Sequence, residues 1–160
     1  MMAGPGRAGA RPEPRIAPES ALGPVPAHAP AALPAAKPPP SVLLLALPGA
    51  ESEEMFADLS RREDLCLIRV ANAAAANRTI EEMPVALVVA CPEIPASAID
   101  SVLAHLRRAR PETPVLAVRS RRAQEPAGWA DAGVAVLRVP LLAGVLSRSI
   151  DVVLGMKRRR

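Results

Sequence analysis

The run Pro84-Val85-Ala86-Leu87-Val88-Val89-Ala90-Cys91-Pro92 decides the fold of this chain. Every side chain between its two flanking prolines is apolar. A strand with one wet face would alternate polar and apolar residues. A continuous apolar run bounded by breakers reads instead as a strand covered on both faces, here Val85 to Cys91, as in a parallel sheet. Helix follows it: Ile99, Val102, Leu103 and Leu106 recur at i, i+3, i+4 and i+7, the clearest helical stripe in the chain. Pro111 and Pro114 close that helix, and Val115 to Arg119 reads as the next strand.

The same alternation extends in both directions. Val42 to Leu47 opens straight out of a proline tract as a first strand. Glu51, Ser52, Glu53 and Glu54 then form the acidic first turn of a helix with Met55, Phe56 and Leu59 on its apolar face. Leu65 to Val70 is a second strand, and Ala73 to Glu82 an alanine-rich helix with Ile80 turned inward. Beyond the fourth strand, Gly128 to Ala132 is at most a short helix, stopped by Gly133. Val134 to Arg138 is the fifth strand, and Leu142, Val145, Leu146, Ile150, Val153 and Leu154 stripe a last helix. Strands alternating with helices at short spacing predict an α/β fold, a three-layer sandwich with a (βα)5 doubly wound parallel sheet over residues 41–156.

The first 40 residues are different in kind. Eleven of the nineteen prolines lie between Pro5 and Pro40, with very little large apolar surface among them. Proline removes an N–H and fixes φ, so the segment reads as a disordered, partly polyproline-II tail. The net charge of +4 divides as +2 on this tail, −2 on residues 41–156, and +4 on the tip formed by Lys157, Arg158, Arg159 and Arg160. The basic pI thus belongs to the ends. A slightly acidic body argues against a nucleic-acid partner, as does the lack of stacking aromatics, since Phe56 and Trp129 stand alone. For the tip, a solvated helix end is the favoured reading over an electrostatic patch. Two cysteines and two histidines make neither a disulfide framework nor a paired zinc site. No apolar run is long enough for a membrane span, and there is no signal-peptide core, so the expected location is cytoplasmic.

These residues resemble a response-regulator receiver domain. Val42-Leu43-Leu44-Leu45-Ala46-Leu47-Pro48 is similar to the family's first strand. Pro84 to Pro95, the Ile99–Leu106 helix and Arg110-Pro111-Glu112-Thr113-Pro114-Val115 resemble its third strand through its fourth. Ala132-Gly133 and Val136-Leu137-Arg138-Val139-Pro140 resemble the approach to its Lys-Pro pair. The resemblance implies a strand order of 2-1-3-4-5 and a role in signal transduction by phosphorelay.

The departures from the family pattern are chemical. Where the resemblance implies a magnesium-binding acidic pair, this chain has Ala46 and Leu47. The phosphoacceptor aspartate falls at Ala90 or Cys91, the hydroxyl residue at Arg119, and the lysine before Pro140 at Val139. Magnesium requires hard oxygen ligands, so none is expected to bind. A lysine aimed into a pocket stripped of acids would be an uncompensated charge. Losing acids and lysine together leaves an apolar pocket, and the expectation is a pseudo-receiver with no phosphoacceptor, no cofactor, no metal and no catalytic residue.

Other motifs give way to plain readings. Gly4-Pro5-Gly6-Arg7-Ala8-Gly9 fits a dinucleotide expression but follows no strand and opens no helix. Asn77-Arg78-Thr79 fits a glycosylation acceptor without a secretory route. Cys66 and Cys91, on strands two and three, should not be adjacent, and Cys91 reads as a buried small hydrophobe at the carboxyl edge. His105 lies off its helix stripe and should face solvent, and His28 is in the tail. Arg119 cannot be neutralised, so it should cross the pocket mouth toward Glu93 or water.

The function expected from this reading is a phosphorylation-independent interaction module acting as an adaptor or by dimerising. Its partner face would comprise Trp129, Leu137, Leu141, Val145 and Arg148, and its partner another protein or a second copy. The alternatives are a small-molecule sensor using the emptied pocket, a partner in trans of a pilus-assembly or localisation ATPase, or a regulator phosphorylated at Glu93 or Asp131.

Overall fold

The computed structural model describes residues 37–155. The expected tail, residues 1–40, lies outside the described residues as far as residue 36, and so does the tip at 157–160. Five parallel strands form one sheet: β1 (Ser41–Leu45), β2 (Cys66–Val70), β3 (Leu87–Ala90), β4 (Val115–Arg119) and β5 (Val134–Arg138), in the order β2-β1-β3-β4-β5. Four helices appear among the described residues: α1 (Ala50–Ser60), α2 (Ala73–Glu82), α3 (Ala96–Ala109) and α4 (Val145–Val153).

The apolar runs form strands because both their faces are covered. Leu43, Leu45, Val88, Ala90, Val115 and Ala117 pack with Ile80 of α2 and with Ile99, Val102 and Leu106 of α3. The alternate residues Val42, Leu44, Leu87, Val89, Leu116 and Val118 pack with Met55 and Leu59 of α1 and with Leu146 and Ile150 of α4. The period of two along each strand therefore sorts side chains between two cores, one on each face of the sheet. β2 and β5 are edges and are only half-covered along most of their length.

Local chemistry sets several boundaries. Asn72 caps α2 by accepting from the Ala75 N–H at 2.8 Å. The Arg110 guanidinium donates to the Ile80 carbonyl at 3.1 Å, tying the end of α3 to α2. Gly144 sits at φ +81, where an L side chain is strained, and it turns the chain into α4. That late start corrects the expected last helix. Leu142 lies outside α4 and is 80% exposed instead of belonging to the inward stripe. The first strand also ends earlier than expected, so Leu47 lies outside β1 at the surface. Between β4 and β5, Gly128 to Ala132 forms turns, with Ala132 N–H bonded to the Gly128 carbonyl at 2.9 Å.

Candidate functional site

In a doubly wound sheet, ligands meet the carboxyl ends of the strands where the order reverses, here between β1 and β3. Ala46 follows β1 and is buried, its N–H donating to the Val70 carbonyl at 2.9 Å. Ala90 ends β3 and Cys91 follows it, both without solvent exposure. These positions present methyl, thiol and backbone surface.

One carboxylate does enter this edge, and it comes from the loop after β3. Glu93 accepts a hydrogen bond from Ser52 Oγ, a fully buried hydroxyl in the first turn of α1. Its other oxygen lies against Gly49, so close that a Cβ built there would sit 2.8 Å from Oε1. Gly49 is the N-cap of α1 and supplies no side-chain cap. Glu93 thus brings negative charge to the positive end of the helix from a distant loop. Burial pushes the Cys91 thiol up to about 11, with the Ser52 hydroxyl partly offsetting that and Glu93 reinforcing it. A thiol so protonated is a poor nucleophile at neutral pH.

Arg119, at the end of β4, does not turn toward Glu93. Its Nη1 donates to the Ile94 carbonyl at 2.8 Å, and its guanidinium lies 5.6 Å from the centroid of the Trp129 ring. The expected reach across the pocket mouth is therefore corrected: a carbonyl and an aromatic face take the cation, and a hydroxyl takes the carboxylate. Trp129 requires the second correction. It is 2% exposed, packs in the α2–α3 core, and donates from Nε1 to Asp100 Oδ1 at 2.7 Å. A buried indole with its N–H satisfied is a core anchor, so Trp129 leaves the expected partner face.

The other expected positions are dispersed around this edge. Val139 and Pro140 follow β5 across a cis peptide bond, with Val139 against the α1–α4 core. Leu137 and Leu141 are half-buried there, Val145 is half-buried at the start of α4, and Arg148 is exposed on α4. His105 is half-buried, with Nε2 3.4 Å from Glu81 Oε1, instead of facing solvent, because α2 packs beside α3. Cys66 is exposed at the start of β2 and Cys91 buried at the opposite end of β3, and both thiols are free.

Sequence reasoning missed two features. In the sequence Ser52 reads only as part of an acidic turn, although a small hydroxyl facing the apolar side of a helix is a usable signal. Arg62, just beyond α1, donates to Ser147 Oγ at 2.9 Å and Asp151 Oδ1 at 2.7 Å and pairs with Asp64, locking α1 to α4. Long-range pairing of this kind has no local signature.

No family model matches this chain, and no curated protein does. Solved structures do. The chain is similar to the signal receiver domain of a LuxO repressor protein of Vibrio parahaemolyticus, with 20% identity and a TM-score of 0.59 over 73% of this chain and 91% of that one. It is similar to a response regulator of Chloroflexus aurantiacus, with 15% identity and a TM-score of 0.63 over 73% and 98%. The receiver domain of a sensor histidine kinase from Pseudomonas aeruginosa, which coordinates magnesium in its active-site cleft, matches at 18% identity and a TM-score of 0.60 over 73% and 98%. The chain has the receiver fold.

The residues present do not suit a magnesium ion. A hard cation needs several oxygen donors, and Ala46, Leu47, Ala90 and Cys91 supply no side-chain oxygen, while Glu93 is engaged by Ser52. Among the described residues, no group of three or more His, Cys, Asp or Glu side chains is arranged to hold a metal. No described helix is long and apolar enough to cross a membrane.

Proposed function

We propose that this chain is a receiver-like interaction module of two-component-type signalling. It works without phosphoryl transfer, as an adaptor or by dimerising, in the cytoplasm, and it is not an enzyme. The observation that carries this reading is what fills the carboxyl edge between β1 and β3. The surfaces there are Ala46, Ala90 and Cys91, and Glu93 is held by Ser52 and packed on Gly49. Phosphoryl transfer to a carboxylate needs a free nucleophilic oxygen and a cation that neutralises the transferring group. A carboxylate already bonded to a hydroxyl, beside methyl groups, supports neither. Here the edge strand β5, the loop after it and α4 offer Leu137, Leu141, Val145 and Arg148 as the partner face.

Incubation of the full chain with acetyl phosphate and magnesium, followed by intact-mass measurement, tests the reading. The expected spectrum has no phosphoryl adduct. An adduct that disappears in Glu93→Gln or Asp131→Asn would overturn it.

A further inference from the structure

β4 and β5 reach the carboxyl edge side by side, with Arg119 and Arg138 as register partners. Arg138 turns its guanidinium onto the chain that leaves β4. Its Nη1 donates to the Ser120 carbonyl at 3.0 Å and to the Ala123 carbonyl at 2.5 Å, and its Nη2 lies 3.8 Å from Glu125 Oε2. The Ala123 N–H donates to the Ser120 carbonyl at 3.1 Å, which closes a β-turn with Arg121 and Arg122 at its two central positions. One side chain of the neighbouring strand thus ties the turn at both ends.

Stability of the turn does not account for the two arginines at its centre. Both are exposed, and among the described residues neither forms an ion pair. Central turn positions favour proline, glycine, asparagine, aspartate or serine for backbone reasons that arginine does not supply. Two adjacent cations also repel each other. Residues 119–138 carry four arginines against Glu125 and Asp131, on a body that is otherwise acidic. None of the exposed large apolar side chains, Leu47, Leu142 and Val152, belongs to this stretch.

We infer that the Ser120–Ala123 turn is an anion-docking site that takes a phosphorylated side chain of a partner protein on Arg121 and Arg122. Chemistry selects this occupant. A lone carboxylate paired with an exposed arginine contributes little. A phosphoryl group carries about −1.5 to −2 charges and three acceptor oxygens, enough to engage two guanidinium forks at once. A membrane surface would call for an apolar anchor beside the cations, and the turn has none. A nucleic-acid strand would meet the acidic remainder of the body and find no aromatic face to stack on. The inference rests on the reading of the domain as an interaction module and names the group its partner carries.

The probe is a short peptide of glycine and alanine around one phosphoserine, titrated into the full chain. The same peptide with serine or glutamate at that position, inorganic phosphate, a thymidine oligonucleotide and phosphatidylserine vesicles are the comparisons. Binding is read from amide and guanidinium shift changes by nuclear magnetic resonance. The phosphopeptide should shift residues 119–125 selectively, bind more tightly than every comparison, and weaken with added salt. Combined Arg121→Ala and Arg122→Ala substitution should cost on the order of 10-fold in affinity, since two charge-assisted pairs are lost. The same change at Arg107 and Arg108, exposed on α3, should cost little, and far-UV circular dichroism checks that each variant is folded. Absence of binding, equal binding by the glutamate peptide, or indifference to the turn substitutions would overturn the inference. Tighter binding of the oligonucleotide, the vesicles or free phosphate would overturn it too, by giving the turn to that ligand. A phosphoryl adduct on this chain by mass would sink the module reading while leaving the peptide titration intact, so the two failures are separable.

Discussion

Replacing Trp129 tests whether the chain's single tryptophan is core or contact surface. The indole is 2% exposed, so truncation to alanine opens a cavity in the α2–α3 core. Large-to-small changes of this type cost about 3–5 kcal/mol. Losing the N–H bond to Asp100 adds little, because Asp100 is exposed and returns to water. Arg119 loses the ring beneath its guanidinium, a contact of roughly 0.5–1 kcal/mol at a partly exposed site. Trp129→Ala should therefore cost about 4 kcal/mol, a large part of the 5–15 kcal/mol typical of a domain, and lower the thermal midpoint by roughly 15 °C. Trp129→Phe keeps most of the ring and should cost about 1–2 kcal/mol. Urea unfolding followed by far-UV circular dichroism measures both variants. Acrylamide quenching of the unmodified chain reports exposure independently, and poor quenching is expected. Ready quenching together with a cost below about 1 kcal/mol for Trp129→Ala would refute the core assignment and return the indole to the surface.

Glu93→Ala should cost about 1–3 kcal/mol by orphaning the buried Ser52 hydroxyl, and Ser52→Ala made on that background should recover part of it in urea melts. Gly49→Ala should destabilise the native chain, because its Cβ meets Glu93 Oε1 at 2.8 Å, and should cost less once Glu93 is alanine, leaving only the poorer N-cap. With a thiol reagent at neutral pH, Cys66 should label at once and Cys91 only on unfolding; two thiols labelled in the native state would refute the burial argument. The raised Cys91 value sets a sign: its contribution is whole below the thiol's unfolded value of ~9 and is lost as pH climbs toward about 11, by roughly 3 kcal/mol at most, so Cys91→Ala should flatten the alkaline limb. Asp64 is held below the usual carboxylate range, chiefly by its hydrogen bond from Arg62, so its contribution is present above pH ~4 and lost as pH falls below it. Arg62→Ala should reduce that acid sensitivity, though by less than about 1 kcal/mol for so exposed a carboxylate.

The sheet was legible because its signal is local. Val85 to Cys91 is short, apolar and bounded by prolines, and its central residues Leu87–Ala90 form a strand covered on two faces; Val115 to Arg119 follows Pro114 and forms β4 over its whole length. The helix from Ile99 to Leu106 was equally plain, since a stripe at 3.6 periodicity needs no tertiary knowledge. The side-chain partners were not legible. Nothing near Arg119 in sequence announces the Ile94 carbonyl, and Trp129 lies among exposed residues of a turn segment whose path decides its burial. Leu142 misled for a related reason: its spacing from Leu146 fits a helix, but Gly144 at positive φ starts the helix after it.

Charge is distributed unevenly over the carboxyl edge, and the unevenness links the fold to the proposed role. Around the cleft each ionic group has a local partner. Glu93 takes the Ser52 hydroxyl, Arg69 takes Glu53 and stacks on Phe56, and Arg119 takes a carbonyl and an indole. A site in which charges are already satisfied gains little by binding an ion, since any newcomer must first displace an internal bond. A few residues away on the outer face of α1, Glu51, Glu54 and Asp58 form no ion pair among the described residues and lie beside an uncovered leucine. Association can gain on both counts there, by covering apolar surface and by bringing opposite charge to the lip. The interaction capacity proposed for this chain is therefore to be sought on its outer surfaces, outside the cleft between β1 and β3.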